Sequence, residues 1–164
     1  MLSNLHSDIV EHYLWEPWYA VRVGQEKAFL LHNMILDRYK GCVRRIYRFS
    51  PSIVLEHTWQ LVKTYIADEL KPHDKERISF ALYDPYALAH LVKTQHKVVY
   101  YMKEHKHNTL FPKLIFIADF AKSLDFTRNS NLLHQLYLRG RHHMISTITA
   151  TPVFKAITPI ARQT

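Results

Sequence analysis

Leu114-Ile115-Phe116-Ile117, followed by Ala118-Asp119-Phe120, is the most continuously apolar run in the chain. A strand with one wet face alternates apolar and polar residues, so four apolar residues in a row describe a strand covered on both faces. Working outward, three similar runs appear: Cys42 to Phe49, stopped by Ser50-Pro51; Ile78 to Tyr83; and Ile145 to Thr149, ended by Pro152. Tyr19 to Val23 supplies a fifth. Between them the period changes from two to about 3.6, as at Phe29, Leu30, Asn33, Met34 and Asp37. Further helical patterns cover His57 to Leu70, Tyr86 to about His105, and Asn131 to about Arg139. Asp84-Pro85 reads as an N-cap followed by the first helical position, and Asn129 or Ser130 can cap the last helix. The order βαβαβαβαβ predicts an α/β fold: a parallel-dominated sheet with helices on both faces. Leu114 to Ile117 should be central, with the Tyr19 to Val23 strand beside it or absent.

The composition sets limits around this core. The 164 residues are 48% hydrophobic and 22% charged, the balance of one globular domain. Three Gly exclude Gly-rich loops and repeats, and no stretch approaches the roughly 20 apolar residues of a membrane span, so a soluble chain with no membrane partner is expected. Met1 to Asp8 lacks the basic and apolar regions of a secretory signal, which predicts an intracellular location. Cys42 is alone, so neither an intramolecular disulfide nor a Cys-rich zinc site can form. The 22 Lys and Arg against 14 Asp and Glu leave a charge of +8, which suits a polyanion such as nucleic acid and equally suits plain solubility, the basic residues being dispersed. Twelve His include Lys103-Glu104-His105-Lys106-His107 and His142-His143. Neither group has helical i, i+4 spacing with a third ligand, so both read as solvated or capping residues and no metal site is expected.

In an α/β fold of this pattern, phosphate is held where the first strand meets the first helix. The residues there are Val21-Arg22-Val23-Gly24-Gln25-Glu26-Lys27-Ala28. Aligned on Lys27, the pattern GxxxxGK[ST] finds Val21 and Glu26 at its two glycines and Ala28 at its hydroxyl. A Glu at the second glycine adds bulk and negative charge where the backbone must approach a polyanion. By its residues alone the octet reads as a helix N-terminus carrying Gln25 and Glu26 against the helix dipole.

The surrounding text carries more. Phe29 to Leu36, Arg45 to Pro51, Leu114 to Phe120 and Asn129 to Thr151, above all Leu138-Arg139-Gly140-Arg141-His142-His143-Met144, resemble the FtsK–HerA-like P-loop genome-packaging ATPases of poxviruses and other large DNA viruses. The resemblance covers about residues 20 to 164. It implies an ASCE-type P-loop domain over 17–164, lacking the family's C-terminal part, behind a tail or docking helix at 1–16.

Position by position, the resemblance implies that Gly24, Lys27 and Ala28 belong to the nucleotide-binding loop, with Lys27 the phosphate lysine. It puts Ala118 where the magnesium-associated Asp of Walker B belongs, and Asp119 at the catalytic acidic position. Pro152 stands where a Gln senses the γ-phosphate. Arg141 matches an arginine near the subunit boundary, where it serves as a finger in trans or pairs with a carboxylate. Glu26, Ala118 and Pro152 are then degenerate motif positions, and the implied ATP and magnesium are weakly held or lost. The expected function is that of a catalytically impaired relative of a DNA-translocating ATPase. The alternatives are a non-enzymatic module binding DNA or a ring partner, and an active ATPase with unusual motifs. Double-stranded DNA, with Arg139, Lys155 and Arg162 as contacts, and a homo-oligomeric ring or an active paralogue are the expected partners.

Overall fold

In the computed structural model the described residues are 18–22, 32–51, 59–107, 110–118, 120 and 130–151. The Leu114 run is β4 (Lys113–Ala118), and all six of its residues are buried. It lies third in a sheet of order β1-β5-β4-β2-β3, with β1 at Trp18–Arg22, β2 at Arg45–Phe49, β3 at Ser79–Phe80 and β5 at Ile145–Thr151. Every pairing is parallel.

Alternation along β2 and β4 divides the core in two. Tyr47, Phe49, Ile115 and Ile117 pack with Leu88, Leu133 and Leu136, which belong to α2 (Pro85–Glu104) and α3 (Ser130–Arg139). Ile46, Leu114, Phe116 and Ile148 pack on the other face with Ile35, Trp59 and Val62. Trp59 and Val62 come from α1 (Trp59–Tyr65), and Ile35 from a π-helical turn at Met34–Arg38. Helices therefore cover both faces, as the apolar run requires. Each fully buried Ile or Leu contributes about 1.5–3 kcal/mol relative to exposure.

Local chemistry sets the boundaries. The Asp84 carboxylate accepts the Ala87 N–H at 2.9 Å and Pro85 follows it into the first turn, so α2 begins as its sequence predicts. Ser130 is the first helical residue of α3 and not its cap; Asn129 is outside the described residues. Buried Gln95 donates from Nε2 to the Phe111 carbonyl at 2.7 Å, fastening α2 to the approach to β4. The Tyr137 and Thr149 hydroxyls bond across the interface of α3 with β5. On the loop after α1, Glu76 accepts from Arg45 Nε at 3.0 Å and from the Tyr47 hydroxyl, tying that loop to the start of β2.

Three expectations need correction. The first strand is not beside β4: β5 lies between them. The short βαβ crossover from β4 through α3 fills the adjacent slot, as consecutive strands usually do, and leaves β1 outside. The run Ile78 to Tyr83 yields only two ladder residues, because the chain bends at Ala81-Leu82, leaving Leu82 78% exposed, and returns at Asp84 to cap α2. The Cys42 to Phe49 run starts its strand only at Arg45. Gly41, at a φ of 74°, and the Cys42 N–H to Tyr39 carbonyl bond keep a turn there. Among the described residues no helix is long and apolar enough to cross a membrane.

Gly140 opens a 3-10 turn (Gly140–His143) between α3 and β5, and a Cβ on it would lie 2.9 Å from the Ile145 carbonyl oxygen. The obstacle is backbone in a buried strand and cannot swing aside. Gly140→Ala should therefore destabilise the protein by about 1–3 kcal/mol, read as a lower urea midpoint at unchanged m-value.

Candidate functional site

Parallel sheets present their ligand sites beyond the carboxyl ends of the strands. At that edge the register aligns Val21 with Ala150 and Ala150 with Ala118, one step before Arg22 pairs with Thr151. With strands about 4.8 Å apart, Val21 and Ala118 stand about 10 Å from each other across β5. Val21, the first residue of the octet, stands on one side of Ala150 and Ala118 on the other. Three segments far apart in sequence thus reach one edge at one height. Gly24, Glu26, Lys27, Ala28, Asp119, Pro152, Lys155 and Arg162 lie outside the described residues.

Ala118 is 6% exposed and belongs to the apolar cluster of Leu114, Phe116, Ile148 and Ala150. Magnesium demands oxygen ligands in near-octahedral geometry, and a methyl group among apolar neighbours offers none. Position 118 does not fit the metal. Among the described residues no three His, Cys, Asp or Glu side chains come together as a ligand set.

On the same face as Ala118, near the end of β2, lies a polar group that sequence reasoning left without a role. Arg48 is buried, and its guanidinium carbon sits 3.9 Å from the centroid of the Trp59 ring. His32 packs edge-on against that ring, with centroids 4.6 Å apart. Its pKa is pushed down to about 4, chiefly by burial and further by the Arg48 charge, so the imidazole is neutral at neutral pH. The signal in the sequence was Arg48 itself, a cation within Ile46-Tyr47-Arg48-Phe49, where a strand buried on both faces has no place to solvate a charge.

Arg139 and Arg141 lie elsewhere. Both are exposed, Arg139 at the end of α3 and Arg141 in the turn that precedes β5. They stand at the amino edge of the sheet, just before β5 begins. The seven residues of β5 separate that edge from Thr151 by roughly 20 Å at about 3.3 Å per residue. Arg141 therefore does not face the Ala118 level of its own chain. Of the paired histidines, His143 meets His96 of α2, with ring centroids 4.6 Å apart. His105 places Nδ1 2.9 Å from the Tyr101 carbonyl at the end of α2, the capping role its sequence suggests.

No family model matches the chain, and no curated protein matches it.

The buried His32 fixes a pH dependence. Its pKa is lower folded than the ordinary 6.5, so the unfolded chain binds the extra proton first. The stability it leaves intact is complete above about pH 6.5, falls as pH drops toward 4, and levels off below that. His32→Leu should flatten this segment of the stability profile, measured by urea unfolding across that range. An unchanged slope would show that His32 is not the group responsible.

Proposed function

We propose that this chain is a degenerate relative of the FtsK–HerA-type packaging ATPases, which keeps the sheet of a P-loop domain and has lost nucleotide hydrolysis. One observation carries the reading: β5 separates β1 from β4, with Val21, Ala150 and Ala118 in register at the carboxyl edge. In the ASCE division that the resemblance implies, one strand likewise separates the Walker A strand from the Walker B strand.

On this reading Lys27 retains the phosphate-binding charge, while Glu26, Ala28 and Ala118 remove the cradle and the metal's partners. When bound, magnesium would neutralise charge on the phosphates during transfer. The Ala118 methyl cannot hold it. Asp119 and Arg141 are inherited catalytic positions without a complete site to serve. The retained role is that of a non-enzymatic partner to double-stranded DNA and to a ring of like or active subunits.

Calorimetry with magnesium and ATP should give no saturable binding in the micromolar range. Restoring Glu26→Gly, Ala28→Ser and Ala118→Asp together should recover it. Ala118→Asp alone should cost about 1–3 kcal/mol of stability, because it buries a carboxylate among apolar side chains. In the triple variant magnesium–ATP should return part of that loss as a raised melting temperature. Micromolar binding by the unaltered chain, or a triple variant still blind to ATP, would defeat the reading.

A further inference from the structure

At the amino edge, opposite the nucleotide level, three elements bring basic groups together. The C-terminal half of α2 contributes His96 and Lys103, the end of α3 contributes Arg139, and the 3-10 turn contributes Arg141, His142 and His143. His96 and Lys103 are two helical turns apart and so lie on one stripe of α2, with Tyr100, 64% exposed, between them. The His96 and His143 rings meet at 4.6 Å. Below them, Val92, Gln135, Arg139, Gly140 and His143 line a cavity of about 110 Å³. His143 is half-buried, and its pKa is lowered first by burial and then by His96, His142, Lys103 and Arg139. Lys103 and Arg139 are the cations among them. Glu104, which follows Lys103 on α2, is not among the groups that act on it.

Like charges gathered this closely repel one another, and an anion placed among them removes that cost and adds attraction. We propose that this face, between the second half of α2 and the 140–143 turn, is the surface on which the chain holds the phosphate backbone of duplex DNA. A neutral partner would not use the charge, whereas the repeated charges of a phosphate backbone can meet groups spread over three elements. The hydroxyl of exposed Tyr100 within the cluster can donate a hydrogen bond to a phosphate oxygen. The inference rests on the DNA part of the function proposed above and not on its nucleotide part.

The test is fluorescence anisotropy of a short labelled duplex over a series of salt concentrations, with the full chain. Lys103→Glu with Arg139→Glu should weaken binding at least roughly tenfold at low salt and reduce the log–log salt slope by about 1.8, for two phosphate contacts. Lys63→Glu with Lys75→Glu changes the net charge equally, at exposed sites elsewhere, and should leave the slope unchanged. If the charge reversals do not fold, Lys103→Gln with Arg139→Gln makes the same comparison. Equal losses in the two pairs, or full binding by the Lys103 and Arg139 variant, would overturn this surface and leave DNA binding standing. An unaltered chain that retains no DNA at low salt would overturn both. Binding to phosphatidylserine vesicles that needs Lys103 and Arg139, without DNA binding, would reassign the face to a membrane surface and overturn the proposal.

Discussion

The fold depends on one strand having no wet side. From Lys113 to Ala118 every side chain is buried, so β4 must have a strand on each flank and helices above and below. β2 and β5 supply the flanks; α2 and α3 cover one face, and α1 with the Met34–Arg38 turn covers the other. The remaining strands then take the positions left at the margins. A charge without a partner at Leu114 or Ile117 would be buried among apolar side chains and would weaken this layered order.

This constraint also explains what could be read from the sequence and what could not. The Leu114 run, the Asp84-Pro85 start of α2 and the alternation of strand and helix are local patterns, and each appears as written. Lateral strand order is not local. Nothing within Trp18–Arg22 encodes that β5 will lie between it and β4, because the choice is made by the short crossover through α3. Likewise Ile78 to Tyr83 carries strand composition, yet competition from the turn and the cap at Asp84 leaves only Ser79–Phe80 in the ladder. Propensity named the segment; the needs of the following helix shortened it.

The candidate site was legible in part for the same reason. Val21 and Ala118 could be named from motif alignment, but their common height comes from the register of three strands. His96 and His143 are distant in sequence, and only the packing of α2 beside the 140–143 turn makes them neighbours. Arg48 was visible as an oddity in an apolar strand, though its use of the Trp59 ring as counter-surface was not. The two edges of the sheet consequently differ in kind. Ala118 and Ala150 make the carboxyl edge small and apolar where they meet, whereas the amino edge beside β5 gathers histidine, lysine and arginine.

The pairing of β1 with β5 has a consequence for how the chain comes together. β4 and β2 can join as soon as both exist, but β1, made first, pairs with the strand nearest the other end of the described chain. Its loop must span nearly the whole domain, the costliest closure in the structure. During synthesis β1 therefore waits without its partner until β5 has left the ribosome. The seam between β1 and β5 is also where thermal opening can start without disturbing the β2–β4–β5 ladder.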